Sequence, residues 1–343
     1  MFSILFPAVE SGIIYAIMAL GVYLSFRILD FPDLTVDGSF VTGAGVAAIM
    51  LVNGQSPVLA TLAGMGAGFI AGCITGILHT KGKVNPLLAG ILMMIALYSI
   101  NLRIMDDRPN IPLLGQDTLF SMFRSFWEGF GIDKTLNSVF TGIGLDPSTW
   151  SILFLMILVT FAIKFFTDWF LRTEIGLALR ATGDNKQMIR SFSADTNKLT
   201  VLGLGVSNAF VALSGALIAQ YNSFADIGMG IGMIIIGLAS VIIGEALFGI
   251  KTIMRTTLAV IGGAIIYRLV IGLALEVGFK AGDLKLITAI LVVIALVLPK
   301  ILENQKERTR KKRKRAELEK MYAVGPEKEG EDVASTKSDS QSV

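Results

Sequence analysis

Polar residues are sparse over long stretches of this chain, and the apolar stretches are continuous rather than alternating. They fall near residues 8 to 29, 36 to 52, 57 to 78, 84 to 104, 149 to 171, 199 to 219, 227 to 250, 254 to 275 and 283 to 302. At about 1.5 Å of rise per residue, roughly 20 apolar residues cross the roughly 30 Å hydrocarbon core of a bilayer. A membrane barrel would alternate every second residue, which none of these runs does. The pattern predicts an all-α polytopic membrane protein with about nine transmembrane helices over residues 1–302. The first run has no basic leader and is too long for a signal-peptide core, so it is expected to remain as an anchor.

Composition agrees: 53% of residues are hydrophobic, 36 are glycine, and the mean hydropathy is +0.68. A soluble chain of this length does not have that make-up. The net charge of +3 carries little information, but its placement carries more, because Lys and Arg near span ends mark the cytoplasmic side. His79, Lys81 and Lys83 lie between spans three and four; Arg172, Arg180, Lys186, Arg190 and Lys198 between five and six; Lys251 and Arg255 between seven and eight. These loops are assigned inside. An odd span count then puts the amino terminus outside and the tail, residues 303–343, in the cytoplasm. The basic run Arg310 to Arg315 is read as an orientation and lipid-headgroup anchor rather than a nucleic-acid patch. The rest of the tail is polar and expected to be disordered.

One cysteine, Cys73, and one histidine, His79, give neither a disulfide framework nor a metal-ligand set. No G-x-x-x-x-G-K-[ST] phosphate cradle occurs. Any ATP that drives this protein binds another chain.

The cytoplasmic segment 172–198 carries the most specific pattern. Asp184 or Asn185 is placed to cap a short helix whose Met188, Ile189 and Phe192 share one face, and Asp195 to cap the next span. Two readings stay open: a helix lying on the bilayer surface, or an apolar knob that fits a groove on a partner.

Here the residues resemble a known family, the LivH/LivM-type permeases of branched-chain amino acid ABC importers, in a branch of amino-acid permeases. The resemblance rests on Gly176-Leu-Ala-Leu-Arg180-Ala-Thr-Gly183-Asp184-Asn185, on Arg27-Ile-Leu-Asp30-Phe-Pro-Asp33-Leu-Thr-Val-Asp37-Gly-Ser39, on Ser207-Asn208 with Ala212-Leu-Ser-Gly215, and on Phe224-Ala-Asp226 followed by Gly228-Met-Gly230-Ile-Gly232. It covers most of residues 10 to 300. It implies two permease chains packed as a homodimer, cytoplasmic ATPase subunits that hold the ATP and Mg, and an extracytoplasmic binding protein that delivers substrate. Coupling to the ATPases falls on Gly176, Arg180, Gly183, Asp184, Asn185, Met188, Ile189 and Phe192. The solute is expected to be an amino acid, hydrophobic or aromatic, and the site a bacterial cell membrane. One departure is Ser193 or Ala194 where the family pattern has a glycine.

A weak internal repeat relates Phe31-Pro-Asp33-Leu-Thr-Val36 to Phe224-Ala-Asp226-Ile-Gly-Met229. Their offset of five spans would place the copies in opposite membrane orientations, the pattern of an inverted repeat. Gly64, Gly66, Gly68, Gly72, Gly203 and Gly205 fit close helix packing, whereas Gly228, Gly230 and Gly232 suit either packing or a broken helix near a cavity.

Charge inside a membrane needs a reason. Arg27, Arg103 and Glu245 lie near span ends, with Lys251 within reach of Glu245. Arg268 sits near mid-bilayer, where either an acid such as Asp226 or Glu276 neutralises it or it meets a substrate carboxylate. Asp30, Asp33 and Asp37 form an acidic cluster, read either as a solvated loop with helix caps or as a vestibule that attracts cations. Candidate pathway residues are therefore Asp33, Asp37, Asp226, Gly228, Gly230 and Arg268. The external segment 105–149 is too long for a connector, and its Phe120, Phe123, Phe126, Trp127 and Phe130 fit a helix along the interface or over a pore mouth. The reading is a non-enzymatic permease working by alternating access; the alternative is an ion-coupled secondary transporter using Arg268 and the aspartates, with a passive channel third.

Overall fold

Helix α1 (Phe2–Val22) runs through its apolar sequence and then widens into a π-helical turn, Tyr23–Ile28, closed by the Leu29 N–H on the Leu24 carbonyl at 3.1 Å. The structure, a computed structural model, describes residues 2–129, 133, 149–191, 195–279, 283, 286–294, 297 and 310. Contacts cluster into two units, residues 1–292 and 293–343, and the site lies wholly in the first. The assigned tail, apart from Arg310, lies outside the described residues, as do Phe130, Phe192, Ser193 and Ala194.

Local signals set the helix starts. Asp33 accepts the Thr35 N–H as α2 (Thr35–Val52) begins, and Ser56 and Asn85 cap α3 (Pro57–Thr80) and α4 (Pro86–Ile104), each with proline at the first helical position. There proline's missing N–H breaks no bond and its φ suits the helix. Beyond α4 come the short strand β1 (Asn110–Pro112), α5 (Leu119–Glu128), α6 (Ser151–Phe170), α7 (Glu174–Asp184) and α8 (Lys186–Ser191). The chain continues through α9 (Thr196–Asn222), β2 (Phe224–Asp226), α10 (Met233–Phe248) and α11 (Ile253–Glu276), and residues 286–294 are helical.

Among the described residues seven helices are long and apolar enough to cross a membrane. Two of the nine expected runs differ. The run 227–250 yields only the 16 residues of α10, because its first part is not helical, and the run 283–302 is helical over 286–294 and otherwise lies largely outside the described residues. The all-α expectation is also corrected, since β1 and β2 pair antiparallel with Ile111 opposite Ala225. Both of these residues are buried, so the ribbon has an inner apolar rung.

The centre of the bundle is α9, 27 residues long and buried over most of its length. Its neighbours reach it through small residues: Gly68 faces Asn208 and Ala212, Gly72 faces Leu204, and Gly43 of α2 lies on the Ala212 carbonyl. Lipid tails are as apolar as leucine, so close backbone approach and dispersion, not hydrophobic transfer, hold such helices together. Gly66 faces open space, which corrects its expected packing role. Outside the bundle centre, α5 lays Phe120 and Trp127 inward against Tyr221 and Phe154, ring centroids 6.0 and 5.0 Å apart. Leu119 N–H donates to Gln220 at 2.8 Å, so the aromatic segment covers the ends of α9 and α6.

The two repeat segments interrupt the chain between α1 and α2 and between α9 and α10. Helices α1 and α9 run in opposite senses: Glu10 meets Tyr221 at the ribbon end, and Leu29 meets Gly203 at the other. The local conformations differ, for only residues 224–226 form a strand.

Candidate functional site

A groove of about 460 Å³ opens between α2, α4 and residues 227–231. Asp37, in the first turn of α2, lines it and reaches across to α10: Oδ2 accepts the Gly232 N–H at 2.9 Å and Oδ1 the Ile234 N–H at 2.8 Å. The carboxylate thus satisfies N–H groups that a helix start leaves unpaired, and its charge complements the positive end of the helix dipole. Gly232 has φ +87°, a left-handed conformation natural to glycine. Gly230 lies against the Asp37 carbonyl, too close for a Cβ. Met94, Ile95 and Tyr98 of α4 form the opposite wall. Asn101, unforeseen in the sequence, ties that wall to α2 by donating to the Gly38 carbonyl at 3.0 Å and accepting from Thr42 at 2.8 Å.

The three aspartates are not one cluster. Asp33 is fully buried behind α2, where Asn208 donates to it at 2.6 Å, while the Thr35 hydroxyl meets Thr75 at 2.8 Å. Asp30 is exposed, with φ +50°. A single solvated vestibule is therefore corrected to one exposed, one buried and one groove-lining carboxylate. Asp226 closes its own turn on the Gly228 N–H at 2.8 Å and accepts from Asn110 at 3.3 Å. Gly228 lies beside that carboxylate.

Arg268 stands apart from the groove. Its Nε donates to the Ser11 hydroxyl at 3.1 Å and its guanidinium lies 4.6 Å from the centre of the Tyr15 ring. The expected Asp226 partner is corrected, because that carboxylate is held in the β2 turn. Two further polar contacts escaped the sequence reading. Lys164 and Asp168 form a buried ion pair one helical turn apart on α6, with Thr257 of α11 donating to Asp168 at 2.7 Å. Glu10, also buried, accepts from the Tyr221 hydroxyl at 2.9 Å. The i,i+4 spacing of Lys164 and Asp168 was the available signal.

At the other end, α7 and α8 form the segment singled out in the sequence. Thr173 caps α7 through the Gly176 N–H at 3.2 Å, and Gly176 sits on the Phe170 carbonyl. Asn185, rather than Asp184, caps α8 through the Gln187 and Met188 N–H groups, both at 3.1 Å. Asp195 caps α9, and the Lys198 backbone N–H holds its carboxyl below the usual carboxylate range. Gly183 lies on the Ile28 carbonyl, again with no room for a side chain. The apolar face is not the expected one. Ile189 is only 8% exposed, whereas Ile175, Leu177 and Met188 are 49%, 52% and 47% exposed.

A polar cleft of about 370 Å³ lies beside α7, lined by Tyr23, Arg27, Arg180, Asp184, Glu245 and Lys251. Within it Arg27 grips Glu245 with two bonds of 2.9 Å, one from Nε and one from Nη2. Glu245 therefore pairs with Arg27, correcting Lys251, because a bidentate guanidinium outcompetes a single ammonium for a carboxylate.

Residues 4–298 match a family model described as the branched-chain amino acid transport system permease component. A tyrosine transport system permease protein of Clostridioides difficile (strain R20291) is 43% identical over 285 residues, covering 83% of this chain and 88% of that one. An uncharacterized protein of Rickettsia prowazekii (strain Madrid E) is 35% identical over 86% of this chain and 97% of its own length. The ribose import permease protein RbsC of Escherichia coli (strain K12) is 24% identical over 88% of this chain and 86% of its own.

Proposed function

The chain belongs to the branched-chain amino acid transport permease family, and from that membership we propose that it imports an amino acid through the groove beside Asp37. It is a membrane permease component of an ABC transport system, not an enzyme. The observation that carries the pathway is the non-helical backbone before α10, which ends on the Asp37 carboxylate at the groove. Irregular backbone at membrane depth is tolerated where it lines a cavity, and broken helices facing polar groups are a recurrent transporter device.

The groove suits a zwitterion with an apolar side chain. Asp37 supplies a carboxylate for the ammonium group, while Met94, Ile95 and Tyr98 supply an apolar wall. The likeness to a tyrosine permease supports an aromatic or hydrophobic amino acid, and the likeness to a ribose permease is much weaker. ATPase subunits, which hold the ATP and Mg, dock on Ile175, Leu177 and Met188. Their motion passes through Gly183 to the end of α1. An extracytoplasmic binding protein meets the ribbon end, a second permease copy completes the pore, and the amino terminus lies outside.

The test is uptake by the reconstituted complex of permease, ATPase and binding protein in vesicles with controlled ATP and no ion gradient. ATP-dependent accumulation of tyrosine or another apolar amino acid, unaffected by ribose, is the expected result. Ion-driven uptake by the permease alone would establish the secondary transporter instead.

A further inference from the structure

A second groove, of about 530 Å³, lies between α1, α6 and α11 and shares no lining residue with the first. Ile13, Ile157, Phe161, Leu258 and Ile265 make it apolar. Its one neutral polar side chain, Thr160, donates to the Ile13 carbonyl at 3.1 Å, so the wall offers no free hydroxyl donor. Arg255 and Phe248 mark one end. Arg255 Nε donates to the Phe248 carbonyl at 2.7 Å, which fixes the guanidinium there, and among the described residues Arg255 forms no ion pair.

The groove is one leaflet deep. Arg255 lies in the first turn of α11 and Ile265 near its middle. The ten residues between them rise about 15 Å, half of the roughly 30 Å hydrocarbon core. A guanidinium at headgroup level above an apolar channel that ends at mid-bilayer matches the two parts of a phospholipid. Lys251, exposed in the same turn of chain, adds a second positive charge at that level.

We propose that this groove binds one anionic phospholipid, its phosphate on Arg255 and one acyl chain along Leu258 to Ile265. A second permease copy seated there would bury the guanidinium and have to supply its own carboxylate, since an unpaired buried charge is strongly unfavourable. A lipid brings the counter-charge with it. Free inorganic phosphate shares the headgroup chemistry but has no use for the channel.

The full chain, purified in detergent, is titrated with phosphatidylglycerol, phosphatidylcholine or inorganic phosphate and read by native mass spectrometry and thermal shift. One phosphatidylglycerol per chain should be retained in preference to phosphatidylcholine, and inorganic phosphate should give no shift. Arg255→Gln should weaken phosphatidylglycerol retention about fivefold, the effect of one basic residue at an anionic headgroup, while Arg255→Lys keeps most of it. Leu258→Trp should expel the lipid with the charge intact; Leu258 is 46% exposed, so the larger ring has space outward. Equal retention in wild type and Arg255→Gln overturns the proposal even if Leu258→Trp fails to fold. So does stabilisation by inorganic phosphate equal to that by lipid, or a 258-to-258 disulfide in Leu258→Cys vesicles, which would put a second copy in the groove.

Discussion

Arg27 in the π-helical turn and Glu245 on α10 are joined by two bonds of 2.9 Å across 218 residues of chain. The pair fastens the end of α1 to α10 beside the place where Gly183 of α7 rests on Ile28. Movement of α7 therefore bears directly on a charged contact between two membrane helices. Arg27 is 56% exposed and Glu245 13%, so the pair contributes only about 1 kcal/mol to stability after solvent screening. Its value to the molecule lies in geometry.

Reversing one charge should break the link without unfolding the chain. Arg27→Glu or Glu245→Arg alone is expected to lower uptake per ATP hydrolysed several-fold at unchanged membrane abundance, and the double reversal to restore most of it. Recovery absent from the double variant would mean that the pair is incidental.

The exposed faces of α7 and α8 separate docking from folding. Ile175→Asp with Leu177→Asp should cut ATPase co-purification about tenfold or more, the loss expected when an apolar contact must desolvate carboxylates, while abundance holds. Ile189→Asp should instead lower abundance, since it buries a charge within the permease itself. Quantitative pull-down with a membrane-fraction blot distinguishes the two outcomes.

For the groove, Asp37→Ala removes the carboxylate that accepts two N–H groups at the start of α10. Transport should fall by an order of magnitude or more, with a loss of roughly 1 to 3 kcal/mol in stability from the stranded donors. Asp37→Asn retains one acceptor oxygen and should keep the fold but not the charge. Uptake assays and thermal melts on both variants separate capping from substrate recognition.

On α6, Asp168→Ala leaves Lys164 buried with no counter-charge, a change that costs about 3 to 5 kcal/mol. The double substitution Lys164→Leu with Asp168→Leu should be tolerated better than either single change. Expression and thermal melting in detergent provide the double-mutant cycle.

Much of the fold was legible because lipid imposes a simple rule on the chain. Long apolar runs became helices, and Asp195 and Asn185 capped the helices that follow them. The coupling segment was also found where its composition pointed. What the sequence hid was direction. Asp33 and Asp37 are four residues apart, yet one faces Asn208 in the bundle and the other faces a groove, because the chain turns between them before α2 begins. Ile189 and Met188 are neighbours that face opposite ways, and a six-residue helix has too few turns to reveal its inner side. Lys164 and Asp168 were overlooked because the surrounding run is so apolar that two opposite charges scarcely lower its average. The Arg27 to Glu245 link is a tertiary fact with no local signature.

The π-helical turn at Tyr23–Ile28 has a consequence for insertions and deletions rather than for substitutions. Such a turn is an ordinary helix carrying one surplus residue. Removing one residue between 23 and 26 would let the segment relax to α geometry and swing everything after it by about 100° around the axis. Arg27 would then point to a different hour of the clock from Glu245, and Ile28 would leave Gly183, with every side chain still present. The reading frame of this one turn aims the end of α1.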